Sequence, residues 1–309
     1  DIPGYHDQDW VTEKFEGKNP TECWEFLSNE YPMGRFKESD FDRIDETSQE
    51  PFWLKVWEAR FPDDDDLNDQ YASGSLKPKY LMRLVKWINS TDTEQATNSS
   101  LSQSVTYDKN YTNDTAEYRQ AKFKYELKDY FDVKFLCDYY ILNDCTAGVD
   151  QRVKNMMFAF WYDPDYSGKG DGMLCYPIYY DCDTILGVRN DGRLVYNWDI
   201  DENSPGDPSN PDDGTYAFAG HDSVLWKNLR DLCQTELSES YIRLRNSNMT
   251  NEFMYESFDD NQSDKYCEKI FNKDSIYKYS EPLTQGVEVI VDGQATNTKY
   301  NYIELLQGT

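Results

Sequence analysis

The chain has 309 residues, room for one large domain or two of ordinary size. It carries 31 Lys and Arg against 58 Asp and Glu, a formal net charge of −27 that argues against direct binding of nucleic acid or an anionic membrane. Its 25 Tyr, 15 Phe and 8 Trp exclude a disordered chain, and no run approaches the ~20 apolar residues of a membrane span.

No basic-then-apolar stretch reads as a secretory leader. The chain opens on Asp1 and stops at Gly308-Thr309 just after an apolar run, so a longer parent protein is expected on both sides. Seven cysteines without a CxxC pair, and only His6 and His221, give poor support for structural zinc. Several cysteines sit in apolar surroundings, as in Leu136-Cys137 and Leu232-Cys233, which predicts buried free thiols and a reducing cytoplasm.

In chain order, Thr21 to Leu27 reads as a short helix opened by Pro20. A second helix near Glu50 to Arg60 would present Phe52, Trp53, Val56 and Trp57. The acidic run Asp63 to Asp66 is either a solvated loop or a helix start. From Lys77 to Asn89, Leu81, Leu84, Val85 and Ile88 recur at helical spacing. Ser90 to Asn113 is a Ser/Thr/Asn-rich loop.

Asp114-Thr-Ala-Glu117 reads as a capping box opening a helix through Phe123, Leu127 and Tyr130, and a buried helix follows over Val133 to Asn143. The period then changes. Asn155 to Tyr162 and Met173 to Tyr180 read as two strands joined by a turn-rich loop, with a third short strand over Gly192 to Trp198. Asp201 to Gly214 is a loop, Ser223 to Leu244 is helical, and more helix is expected over Thr250 to Tyr279. Gly286 to Val291 looks like one further strand.

The chemistry-bearing segment is Asp150 to Gly187. Asp150 and Asn155 form an Asp-x-x-x-x-Asn spacing between a buried helix and a strand, and Asp181 and Asp183 close the partner strand. Kinase-type phosphoryl transfer needs such a set: an Asp that takes up the hydroxyl proton, an Asn that binds metal, and a second Asp that holds the magnesium.

This stretch, from "YFDVKFLCDYYILNDCTAGVDQRVKNMMFAFWY" to "YPIYYDCDTILG", resembles the spore-coat CotH kinase-like family. The resemblance implies that Asp150 is the catalytic-loop Asp, Asn155 the loop Asn, Asp181 the metal-binding Asp, Asp183 a second acid and Gly187 the closing glycine. It implies Mg and ATP as cofactors where the site is intact. The stretches "LVKWINSTDT", "NDTAEYRQAKFKYEL", "HDSVLWKNLRDL" and "YIELLQGT" are similar to large tail proteins of gut podophages, including the crAss-like group, in the part called the muzzle. That resemblance implies a virion location after synthesis in the bacterial host cytoplasm. Its partners would be other copies and other virion tail proteins, with no cofactor required.

Departures bear on catalysis. No Gly-rich nucleotide loop is present, Arg152 and Lys154 sit in a loop, and Lys86 lies on a predicted helix. A structural role for the four residues, as caps and strand-end turns, stands beside residual metal binding and true catalysis. Asp163 and Asp165 open a loop whose first half follows a calcium-loop spacing, but Leu174 stands where a bidentate Glu belongs, so a hairpin turn is the reading.

The fold class expected is α+β, a helix-rich body around a small antiparallel sheet over residues 155–198, similar to a kinase large lobe. Residues 1–89 form a helical N-terminal part, 90–113 a loop, and 114–309 the kinase-like domain. The function expected is a structural phage-tail component, with an active atypical kinase as the alternative.

Overall fold

The computed structural model describes residues 19–27, 36–61, 65–98, 107, 113–146, 151–152, 156–180, 194–195, 223–247, 249–252, 287–291 and 294–300. Its main sheet is built from β1 (Glu22–Phe26), β2 (Trp57–Phe61), β3 (Met156–Tyr162) and β4 (Met173–Ile178). These run antiparallel in the order β2-β1-β3-β4.

Two helices expected in the N-terminal part are therefore corrected. Thr21 to Leu27 contains β1, a central strand whose five residues are all buried. Burial on both faces removes the alternation that marks a half-exposed strand. Glu50 to Arg60 divides into one 3-10 turn, Phe52–Lys55, and then β2. The turn keeps Phe52, Trp53 and Val56 at a spacing that imitates an α-helix. The first 89 residues thus supply half of the main sheet rather than a purely helical part.

Of the two readings of the acidic run, the helix start holds, since α1 spans Asp65–Ala72. Helix α2 (Lys79–Ser90) buries Leu81, Leu84, Val85, Trp87 and Ile88 along one stripe. Its N-cap position is Pro78, whose side chain has no acceptor to offer the first amides. The Glu22 carboxylate reaches across from β1 and accepts from Tyr80 N at 3.1 Å and Leu81 N at 3.3 Å.

Helix α3 (Ala116–Glu126) starts one residue later than the capping-box reading: Thr115 is the cap and accepts from Tyr118 N at 3.2 Å. Asp114 instead grips the Arg119 guanidinium at 2.6 and 2.7 Å. Helix α4 (Val133–Cys145) is capped by Asp132, which accepts from Phe135 N at 3.0 Å. The expected Ser223 to Leu244 helix is two helices, α5 (Val224–Leu232) and α6 (Gln234–Arg245), meeting at Cys233.

A second, three-stranded sheet contains β5 (Leu194–Val195), β6 (Val287–Val291) and β7 (Gln294–Tyr300). The third strand, expected to join the hairpin, belongs here instead. It pairs parallel to β6, and β6 pairs antiparallel to β7. The loop over 201–214 and the helix expected beyond residue 252 lie outside the described residues.

One face of the main sheet shares a core with the helices. Trp24, Phe26 and Phe158 pack with Leu81, Leu84, Phe123, Leu136 and Trp226. Cys23, Met157, Ala159, Trp161 and Tyr176 form a cluster on the other face. Within β3, Met156, Phe158 and Phe160 go to the first face while Met157, Ala159 and Trp161 go to the second, as the two-residue strand period requires. Among the described residues, no helix is long and apolar enough to cross a membrane.

Candidate functional site

Asp150, Asn155, Asp181 and Asp183 lie outside the described residues. Of the adjoining residues, Gln151, Met156 and Tyr180 are described, and Gln151 and Tyr180 meet at one end of the β3–β4 hairpin. Gln151 and Arg152 form a turn between α4 and β3. Gln151 Nε2 donates to Tyr180 O at 3.2 Å, which ties the residue after Asp150 to the residue before Asp181. Tyr139 OH on α4 donates to Gln151 O at 2.5 Å, and Trp226 Nε1 on α5 donates to Arg152 O at 3.1 Å. The hydroxyls of Thr146 and Tyr179 are also hydrogen-bonded. Two helices and a strand therefore fix the approach to the loop.

The Arg152 side chain is turned inward. It is 3% exposed, donates to Asp144 Oδ1 at 2.7 Å, and has its guanidinium carbon 4.5 Å from the Tyr140 ring centroid. A buried guanidinium needs such an acid and an aromatic face to replace its water.

A second ion pair at this end of the sheet was not foreseen. Glu25 on β1 lies opposite Met157, which pairs with Ile178. Glu25 is 3% exposed and receives the Arg60 Nε at 2.5 Å. Arg60 also reaches Glu58 at 3.2 Å, and its guanidinium carbon stands 5.8 Å from the Tyr180 ring centroid. A cation held by a buried carboxylate thus sits beside the residue that precedes Asp181. The available signal was an acid inside the apolar run Cys23-Trp24-Glu25-Phe26. Reading that run as a helix hid it.

Asp163 and Asp165 serve the hairpin loop. Asp163 Oδ1 accepts from Asp165 N at 2.9 Å, and Oδ2 accepts from Tyr176 OH at 2.6 Å. Burial, and then Asp163 itself, push the Tyr176 hydroxyl far above the usual tyrosine range. Tyr166 OH donates to Asp129 at 2.5 Å and accepts from Gly170 N at 2.7 Å, and Gly172 closes the turn at φ +77°. Among the described residues, no group of three His, Cys, Asp or Glu is placed to hold a metal.

The described thiols offer no nucleophile at the core. Burial pushes Cys137 to about 12 and Cys233 to about 11, so both stay protonated at neutral pH. Cys137, Cys145, Cys175 and Cys233 are free, as the sequence predicts for them.

These features define an α+β protein in which the residue after Asp150 and the residue before Asp181 are tied together at one end of the β3–β4 hairpin. A family model described as CotH kinase protein matches residues 50–300, and the chain belongs to the CotH kinase family. No match was found among curated proteins or among solved structures. Strand β1, with Glu25, lies ahead of the matched span, whereas β2 and Arg60 lie inside it.

Proposed function

We propose that this chain is a building block of a bacteriophage tail, part of a multi-copy muzzle-type protein in which the kinase-like scaffold serves architecture rather than phosphoryl transfer. Its site of action on this reading is the virion, after synthesis in the host cytoplasm, and its partners are other copies and other tail proteins. The observation that carries the non-catalytic part is Arg152. The described cation closest in sequence to Asp150 is buried against Asp144 and Tyr140 and is withheld from any phosphate. The acidity supports it too, because a chain at −27 repels a nucleoside triphosphate. The tail assignment is supported by the quoted stretches similar to gut podophage tail proteins.

A specific observation favours a second reading, an active CotH-type kinase that uses ATP and Mg. It is the Glu25–Arg60 pair beside Tyr180, since kinases hold a phosphate-facing cation with a carboxylate. On this reading the helices around the β3–β4 hairpin correspond to a kinase large lobe. Asp150 accepts the hydroxyl proton, and Asn155, Asp181 and Asp183 hold the metal; carboxylate and amide oxygens suit Mg.

Two measurements decide. The protein, incubated with radiolabelled ATP and Mg, is expected to transfer no phosphate to itself or to added protein. Mass spectrometry of purified tails is expected to find it in many copies. Transfer that disappears in both Asp150→Ala and Asp181→Ala would establish the kinase reading instead.

A further inference from the structure

Loops ordinarily run over a protein's surface, where water satisfies their polar groups. The turn after Asp150 does the opposite. Gln151 is 0% exposed and Arg152 3%, so their carbonyls need partners within the protein. Each carbonyl has a side-chain donor from a different helix. Gln151 O is held by the Tyr139 hydroxyl of α4, and Arg152 O by the Trp226 indole N–H of α5.

The two donors support one another. The Trp226 indole stacks on the Tyr139 ring at 5.8 Å and 20°. It also lies 6.2 Å from the Tyr140 ring, the ring that faces the Arg152 guanidinium. Trp226 is buried, and α5 is anchored on both sides of it. Ser223 caps the first turn, and Asn228 Nδ2 donates to Thr91 O at 3.2 Å. Asn228 is two residues beyond Trp226 and so points to a different side of the helix.

A bonded, buried polar network of this kind rigidifies what it holds. Here it holds the turn between Asp150 and Asn155, and Gln151 Nε2 extends it to Tyr180 O, next to Asp181. Asn155, Asp181 and Asp183 offer amide and carboxylate oxygens, the donors that suit Mg and Mn. Groups behind such ligands orient them, and their loss typically costs about 10–100-fold in metal affinity.

We infer that Trp226 and Tyr139 are positioning residues for a divalent cation: they hold the turn that follows Asp150 against the strand end that precedes Asp181. The inference rests on the metal set of the second reading and does not require phosphate transfer. It brings α5 into the site from 74 residues beyond Arg152.

The test is binding of Mn²⁺ alone to the full 309-residue chain in physiological salt, read from the free-ion electron paramagnetic resonance signal. Wild type is expected to hold a tight Mn²⁺ that Asp181→Asn abolishes, which separates it from weak binding by other acids. Trp226→Phe and Tyr139→Phe keep an aromatic ring and remove the donor. Each is expected to weaken the tight site by at least about tenfold. Asn228→Leu removes a buried bond of the same helix that does not reach the turn. It is expected to lower the melting temperature and leave the Mn²⁺ affinity unchanged. Thermal melts check that every variant folds. Unchanged affinity in both Phe variants, an equal loss in Asn228→Leu, or a wild type without an Asp181-dependent site overturns the inference. The kinase reading is judged apart, by phosphate transfer. A chain that binds Mn²⁺ as expected but transfers nothing loses that reading and keeps the positioning role.

Discussion

A carboxylate at the first position of a buried strand is an unusual place for charge, and Glu22 holds it because α2 begins at Pro78 with bare amides. Burial raises the Glu22 pKa above 4.5, against the opposing bonds from Tyr80 N, Trp24 Nε1 and Leu81 N. A raised folded-state pKa gives stability that is full below the unfolded value near 4.3 and lost as pH rises through the folded value. Lowering the pH from 7 to 5 is therefore expected to stabilise wild type relative to Glu22→Gln, whose amide does not titrate. Asp114 does not interfere, since its bond to Arg119 holds its pKa below 3.8 and its contribution is lost only at lower pH. Urea midpoints of the two proteins at both pH values give the result, and a constant difference between them would rule the mechanism out. At Arg60, truncation to Ala takes the guanidinium from buried Glu25 and is expected to cost about 2–3 kcal/mol. The double variant Glu25→Gln/Arg60→Ala should recover part of that loss in the same urea experiment.

Caps set the ends of α3 and α4, and each contributes a separable amount. Thr115→Ala and Asp132→Ala are each expected to lower stability by about 1 kcal/mol, additively within error because the caps share no partner. An unaltered urea midpoint in either variant would show that its cap bond contributes nothing. Elements with a local signal could be read from the sequence: α2 has a clean apolar stripe, and the β3–β4 hairpin, although buried on both faces, carries its Asp-Pro-Asp and Gly-rich turn. Strand β1 could not, since it is short, buried on both faces and has no such turn beside it. Strand β5 was placed with the wrong partner because two residues carry no pattern, and its pairing depends on β6 about ninety residues later. The candidate site divides the same way. The spacing of Asp150, Asn155 and Asp181 is local and visible. The Glu25–Arg60 pair arises from the register of two strands 35 residues apart, which only the folded sheet reveals.

Charge governs the whole molecule, and salt is the simplest handle on it. Folding compresses a net charge of −27 into a smaller volume, so self-repulsion opposes the compact state. Added salt screens this repulsion over a Debye length that shrinks from about 30 Å at 0.01 M to about 8 Å at 0.15 M. The same salt weakens surface pairs such as Lys86–Glu38 and Lys227–Asp231, but exposed pairs are each worth only about 0–1 kcal/mol. Repulsion sums over every excess acid while the pairs are few, so repulsion wins and the unfolding temperature is expected to rise with salt. A shift of about 2–4 °C corresponds to roughly 1 kcal/mol in a chain of this size. Thermal unfolding over a sodium chloride series gives the result. A melting temperature that falls with salt would mean that ion pairs, rather than excess charge, dominate the electrostatics of this fold.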